Sequence, residues 1–399
     1  MNVYFHTFGC KANQYDTDRV RQAFTDQGAV VVDDPAAADL AVVNSCTVTQ
    51  ESETKLRRLV RAVSRAGRAE TIVMGCAAAL DDGAIAALPS VRAVVANADP
   101  TMVLRAAGLS SPSRVGAQHA APLHRHRGLL KIQDGCDEHC TFCATTLARG
   151  ANRSRSVAAL VEEAKALAEH HAEIVLTGVH IGAYGQDAPL SRLLEALINA
   201  VPQVRFRLSS VEATEVDDTL ARLLIEAPRH VAAHLHAPLQ SGSNRVLKRM
   251  GRHWYTAESY RARIEWLAER LPVFGLGADV IAGFPGETAD DHRATAELVN
   301  ALPFTYLHVF PFSVRPDAAA ARLANQVTPA VIDARARELR ELGEAKAVAH
   351  RARRLGARAD GVVSGRLGGR VDVLTEDYLS VYLPIDRWDG RPRLAITVD

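Results

Sequence analysis

The chain has 399 residues, 48% of them hydrophobic, and its 47 Lys and Arg nearly cancel its 46 Asp and Glu to a net charge of +1. That length supports two or three domains with at least one large core, and no apolar run approaches the ~20 residues that span a bilayer. The balance of charge excludes the global basic field of a protein that holds nucleic acid by charge alone.

MNVYFHTFGCK lacks the charged and apolar regions of a secretory signal. A soluble, cytoplasmic protein is therefore expected, with no membrane partner. In a reducing compartment its six cysteines point to metal binding or catalysis rather than to disulfides.

In chain order, NVYFHTF, DLAVVNS and TIVMG read as buried strands, with helical patterns near Asn13–Gln27 and Glu51–Arg65 between them. This βαβ rhythm predicts an α/β fold with a doubly wound parallel sheet over residues 1–108. Residues 109–127, rich in Ser, Pro, His and Arg, read as a linker. Six further strands are expected at Leu129–Gln133, Glu173–Thr177, Val204–Ser209, Val231–His236, Gly275–Ala282 and Thr305–Phe310. With helices between them they predict a partial (β/α)6 barrel over 128–345. A long helix near Thr328–Leu355 follows, and the Val- and Gly-rich tail, 346–399, reads as a small β-barrel. Two basic runs, Lys55–Arg68 and Lys346–Arg358, read by themselves as solvated helix faces.

The cysteines fall into two sets of three. Cys136, Cys140 and Cys143 form C-x3-C-x2-C just after the first barrel strand, at the edge where barrels build active sites. Cys10, Cys46 and Cys76 each follow a predicted strand directly, in TFGC, VNSC and VMGC. The carboxyl ends of a parallel sheet share one edge, so these three distant residues are expected to converge. Structural zinc normally takes four ligands from paired knuckles. His139 is a fourth ligand by type, yet it sits between two cysteines and reads as an exposed neighbour. Thiolate-only sets of three suit four-iron clusters that leave one iron open.

C-x3-C-x2-C after the first strand of a partial barrel resembles the signature of the radical S-adenosylmethionine (SAM) enzymes. With the upstream cysteines, the sequence resembles the methylthiotransferases over essentially its whole length. The matching segments are GCKANQYDTD at Gly9, NSCTVT at Asn44, MGC at Met74, LTGVHIGAYG at Leu176, RLSSVEATEVDD at Arg207, HLHAPLQSGSNRVLKRM at His234, DVIAGFPGET at Asp279 and LHVFPFSVRP at Leu307. GCK-x-N and CTVT look like the branch that acts on N6-threonylcarbamoyladenosine at position 37 of tRNA.

The resemblance implies two [4Fe-4S] clusters and SAM as cofactors, with tRNA and a reducing electron donor as partners and a monomeric enzyme. Cys136, Cys140 and Cys143 would bind the cluster that chelates SAM. Cys10, Cys46 and Cys76 would bind an auxiliary cluster whose open iron holds the transferred sulfur. Phe142 and Ile281 to Pro285, Gly283 among them, would lie beside the adenine of SAM. Gly178 and Glu212 would hold its amino group and ribose. Adenine C2–H is too inert for side-chain acid–base chemistry, so a cofactor-derived radical is required.

The tail resembles the family's tRNA-holding TRAM domain, which promotes Lys346–Arg358 to a candidate phosphate contact. Tyr378 and Tyr382 are candidates to stack on bases, with a core position expected for at least one. His234 and His236, two apart on a strand, are expected to line the barrel as polar residues. Thr146 and Leu147 stand where the family has Pro and Tyr, and Phe312 replaces a usual Tyr. Two other readings stay open. One is the same chemistry on isopentenyladenosine-37 or a ribosomal protein residue; the other is a non-catalytic metal-bearing RNA-binding protein.

Overall fold

The computed structural model describes residues 1–47, 50–110, 127–185, 187–315 and 317–399. The linker expected over 109–127 falls almost wholly outside them, as do Val48 and Thr49 of the CTVT segment. The chain divides into two compact units. The first holds the N-terminal segment together with Gln133–Glu138 and Cys143–Arg153; the second holds His139–Phe142 and Ser154–Asp399 with the strand before residue 133.

In the first unit, β1 (Asn2–Thr7), β2 (Val30–Val32), β3 (Leu40–Ser45), β4 (Glu70–Gly75) and β5 (Val91–Val95) form one parallel sheet in the order β2-β1-β3-β4-β5. Helices α1 (Lys11–Asp26), α2 (Gln50–Ala66), α3 (Cys76–Ala79) and α4 (Pro100–Ala106) cover it. Every residue of β3 is buried, because helices pack on both faces: Phe5, Phe24, Ile72 and Leu104 fill one side and Leu56, Val60 and Val73 the other. This strand order reverses direction between β1 and β3, and α/β folds bind ligands outside the strand ends at such a switch point. Cys10 and Cys46 stand just beyond those two strands. The edge strands β2 and β5 go beyond the sequence reading. Val30 and Val31 are exposed, and three residues at a sheet edge carry no alternating pattern.

In the second unit, β6 (Arg127–Lys131), β7 (Glu173–Thr177) and β8 (Arg205–Leu208) pair in parallel, as do β9 (His234–His236), β10 (Gly275–Ala282) and β11 (Tyr306–Pro311). Parallel bridges Phe206↔Val231 and Ser210↔His236 link β8 to β9. The six strands thus follow one another in chain order, as a partial (β/α)6 barrel requires. Along β10, Ala278, Val280 and Ala282 are fully buried. Gly277, Asp279 and Ile281 point to the opposite, concave face, as a period of two demands. The expected strand at Val231 begins only at His234. The long helix spans Pro329–Arg354, with proline in its first turn.

The tail forms a four-stranded antiparallel sheet of β12 (Arg358–Leu367), β13 (Arg370–Leu374), β14 (Ser380–Pro384) and β15 (Arg393–Thr397), in the order β14-β13-β12-β15. Val363, Val371, Val373 and Val381 form its core. A buried charge cluster ties it to the barrel. Glu173 on β7 accepts from Arg205 Nε at 2.7 Å and from Arg207 Nε at 3.0 Å. Arg205 Nη1 then donates to the carbonyl of Asp360 at 2.6 Å, and Arg207 Nη2 to that of Thr375 at 2.8 Å.

Candidate active site

Cys10 leads into α1, Cys46 follows β3 and Cys76 opens α3. The three meet around Asn13, one turn into α1. Asn13 is fully buried, and its amide nitrogen donates to the carbonyls of Phe8 (2.8 Å) and Ser45 (2.9 Å). Those bonds fix its oxygen 4.0 Å from the sulfur of Cys10 and 3.8 Å from that of Cys76. Gly9, at φ +97°, makes the approach to Cys46 possible, since a Cβ there would lie 2.8 Å from the Cys46 sulfur.

Arg149, on helix α5 (Thr145–Arg149), completes this neighbourhood within the first unit. Its Nε donates to the Cys76 sulfur at 3.2 Å, Nη2 to Asn13 Oδ1 at 2.5 Å and Asp16 Oδ2 at 3.0 Å, and Nη1 to Asp134 Oδ1 at 2.7 Å. Burial pushes the Cys76 thiol up, and the Arg149 charge opposes that shift. Asn13 closes the GCK-x-N motif, Asp16 lies in the GCKANQYDTD match and Arg149 is retained from the family pattern, but none of the three has a role assigned from sequence. The three-residue spacing from Cys10 places Asn13 and Asp16 along one face of α1.

The segment carrying Cys136 is pinned by a turn. Gly135 has φ +74°, and a Cβ on it would overlap the carbonyl of Ala151. The Cys136 N–H donates to the Gly150 carbonyl at 3.0 Å. Further along, the N–H of Thr145 points at the Cys143 sulfur (3.3 Å). Leu147 projects outward, 57% exposed, so its departure from the family pattern leaves the packing untouched.

In the second unit, Cys140 and its neighbours are held by the turn after Arg249. The Thr141 N–H donates to the Met250 carbonyl (2.9 Å) and its hydroxyl to that of Arg249 (2.9 Å). His139 is exposed, as expected. Arg252 bridges two sequence-predicted residues: Nη1 points to the Cys140 sulfur at 3.5 Å and Nη2 pairs with Glu212. Trp254 Nε1 donates to the other Glu212 oxygen, and Tyr255 accepts from Arg252 Nε at 3.0 Å. Burial raises the Glu212 carboxyl against the pull of Arg252. Its side chain also closes a capping box with the backbone of Glu215, and the roughly four acceptor sites of a carboxylate leave room for a ligand beyond these bonds.

Phe142 meets Phe284 edge-on at 6.5 Å, and Phe284 meets Phe312 in the same way at 5.4 Å. Gly283 has φ +75° and no room for a Cβ beside Ile332. Gly178 lies just past the end of β7, Glu212 beyond β8 and Ile281 at the end of β10. All occupy the carboxyl-end rim. His234 and His236 turn inward, as expected, and both hydrogen-bond the Tyr306 hydroxyl, at 2.9 and 3.0 Å.

A six-stranded parallel half-barrel, with C-x3-C-x2-C in the loop after its first strand, defines the radical SAM class. Two family models match: the Radical SAM superfamily over residues 130–299 and the Uncharacterized protein family UPF0004 over residues 2–96. The chain is 38% identical to a threonylcarbamoyladenosine tRNA methylthiotransferase of Bacillus subtilis, over 86% of this chain and 80% of that protein. It is 31% identical to a tRNA-2-methylthio-N(6)-dimethylallyladenosine synthase of Zymomonas mobilis, over 86% and 81%. In structure it resembles the radical SAM methyltransferase TsrM of Kitasatospora setae, with a TM-score of 0.61 at 14% identity over 80% of this chain and 75% of that one. The chain belongs to the radical SAM tRNA methylthiotransferase family.

Its cofactors are accordingly two [4Fe-4S] clusters and SAM. The thiols at the switch point suit a cluster better than one ion. Among the described residues, the trio of ligand atoms lying within 4.8 Å of one another is His236, Asp279 and His308, not Cys10, Cys46 and Cys76. Sulfurs sharing one tetrahedral zinc sit about 3.8 Å apart. An all-thiol set with a guanidinium donor fits a soft iron–sulfur cluster.

Proposed function

We propose that this enzyme installs a methylthio group at C2 of N6-threonylcarbamoyladenosine at position 37 of tRNA. The observation that carries the reading is the convergence of Cys10, Cys46 and Cys76 around Asn13, separate in sequence from the C-x3-C-x2-C loop. A radical SAM enzyme that only abstracts hydrogen has no use for a second thiol trio. The greater identity to the threonylcarbamoyladenosine enzyme, 38% against 31%, supports the substrate.

In this reading Cys136, Cys140 and Cys143 hold the SAM-binding cluster, and Cys10, Cys46 and Cys76 hold the auxiliary one. When bound, these groups supply the radical that removes the C2 hydrogen and the sulfur that replaces it. The chain's own residues position and insulate. Glu212, held by Arg252 and Trp254, presents its remaining lone pairs to the ribose of SAM, and Gly178 presents backbone to its amino group. Phe142, Ile281 and Gly283 give the adenine an apolar wall. Arg149 fixes the Cys76 thiolate through a charge-assisted hydrogen bond.

Residues 1–108, 128–345 and 346–399 act as cluster, barrel and RNA-holding domains. The Lys346–Arg358 run contributes less to tRNA than its charge suggests. Lys346 is bound to the carbonyls of Asn300 and Leu302, and Arg354 to Asp377 and Glu376. Arg353 and Arg358 remain exposed, as does Tyr382 with Arg370 4.2 Å over its ring. Tyr378 is half-buried instead, stacked on His234 at 4.4 Å. The enzyme works as a cytoplasmic monomer fed by a reducing electron donor.

Anaerobic reconstitution tests the proposal. About eight irons per chain, SAM cleavage on reduction and conversion of threonylcarbamoyladenosine-bearing tRNA to its 2-methylthio form are expected. Stoichiometric zinc without iron contradicts it.

A further inference from the structure

On the concave face of the half-barrel, three polar side chains meet that the reaction as described does not use. Asp279 on β10 pairs in register with His308 on β11, and His236 ends the adjoining β9. His236 Nε2 donates to Asp279 Oδ1 at 3.0 Å, and His308 Nδ1 donates to the same oxygen at 3.2 Å. Behind them a chain of hydrogen bonds fixes the first imidazole. His234 Nε2 donates to the Tyr306 hydroxyl (2.9 Å), which in turn donates to His236 Nδ1 (3.0 Å). Gly277 makes room for the Tyr306 ring, which a Cβ at that position would overlap.

This arrangement is rigid at its back and open at its front. The His236 side chain is 7% exposed, whereas Asp279 is 26% and His308 56% exposed. Burial acts to raise the Asp279 carboxyl, but the bonds from His236 and His308 outweigh it and hold it below the usual carboxylate range. An anion therefore stands with one oxygen committed to two imidazoles and the other, Oδ2, available for donors. Ile281 and Phe310, paired neighbours two residues further along the same two strands, rise about 7 Å above it toward the carboxyl-end rim. An adenine held at that rim would direct a substituent into the polar layer below.

We infer that His236, Asp279 and His308 form the subsite for a hydrogen-bonding substituent on N6 of the target adenine. The inference rests on the proposed substrate and explains how that substrate is chosen. A threonylcarbamoyl group carries ureido N–H donors, a hydroxyl and a carboxylate. The ureido N–H groups match Asp279 Oδ2, and the hydroxyl donates to the outward Nε2 of His308. An isopentenyl group has neither donor nor acceptor and would strip water from Asp279 Oδ2 without replacing it, leaving only the two imidazole bonds on Oδ1, a cost for a half-buried anion. Selection by unsatisfied polar groups is steeper than selection by shape.

The test measures binding of synthetic anticodon stem–loops to the reconstituted holoenzyme by fluorescence anisotropy under anaerobic conditions. One stem–loop carries threonylcarbamoyladenosine at position 37 and the other carries plain adenosine. Wild type should prefer the modified stem–loop. His308→Phe should weaken binding of the modified stem–loop about tenfold and leave the plain one unchanged, while His308→Gln, which keeps a polar tip, retains part of the preference. If His308→Phe discriminates as well as wild type, or weakens both stem–loops equally, the inference is overturned while the substrate reading stands. If wild type itself shows no preference, the substrate reading fails first and takes the inference with it. Stoichiometric non-cluster metal, found by elemental analysis and lost in His308→Phe, would also overturn it by making the trio a metal site.

Discussion

The guanidinium of Arg149 lies 3.2 Å from the sulfur of Cys76, although 73 residues separate the two in sequence. Arg149 follows the third cysteine of the C-x3-C-x2-C loop by six residues. A side chain from that loop segment therefore sets the surroundings of the other thiol trio. Replacing Arg149 by Met should shift the auxiliary cluster roughly 60 mV more negative, the equivalent of one tenfold change in a one-electron equilibrium, because a cation beside a thiolate favours the reduced cluster. Potentiometric titration followed by electron paramagnetic resonance reads this directly. Arg149→Lys should fall between the two, and an unchanged potential in Arg149→Met would show that Cys76 carries no cluster.

The two thiol trios should be separable. Replacing Cys10, Cys46 and Cys76 together by Ala should lower iron from about eight to about four per chain. Reductive cleavage of SAM should persist without any methylthiolated product. Loss of SAM cleavage in that variant would mean that the trios do not hold independent clusters.

Gly135→Ala should give the complementary defect. The positive φ and the overlap with the Ala151 carbonyl leave no place for a methyl group, so the backbone ahead of Cys136 must move. Iron should again fall to about four, this time with SAM cleavage abolished. Circular dichroism should be unchanged, since the turn lies outside both major sheets.

Glu173 controls how the tail sheet is attached. It is wholly buried between Arg205 and Arg207, and Glu173→Gln leaves two buried guanidinium groups short of charge, at a cost of about 3 kcal/mol. Although burial itself raises the Glu173 carboxyl, Arg207, Arg205 and Arg127 together hold it well below the ordinary value. The folded pKa is depressed, so its stabilisation is complete above the unfolded pKa of about 4.3 and fades as pH falls through the folded value. Thermal unfolding from pH 7 downward should show wild type and Glu173→Gln converging only in acid. A constant gap would place the effect elsewhere.

Much of this architecture was legible before the structure. Glu173–Thr177 and Gly275–Ala282 are largely apolar, each broken by one acidic residue, Glu173 and Asp279, and their bounds match the structure. β2 and β5 were not legible, since edge strands are half exposed and show no period. The cysteines announced both sites because thiols are rare and their placement after strands is patterned. The roles of Arg149, Arg252 and His308 were silent for a different reason. A positive or polar residue in an Arg-rich chain acquires meaning only from what the fold sets opposite it: Cys76, Glu212 and Asp279.

The most direct test of the account is nucleoside mass spectrometry of tRNA from cells with and without this gene. Deletion should abolish 2-methylthio-N6-threonylcarbamoyladenosine and leave its unthiolated precursor in place, with restoration by the wild-type gene. Unchanged levels, or loss of the 2-methylthio isopentenyl nucleoside instead, would contradict it.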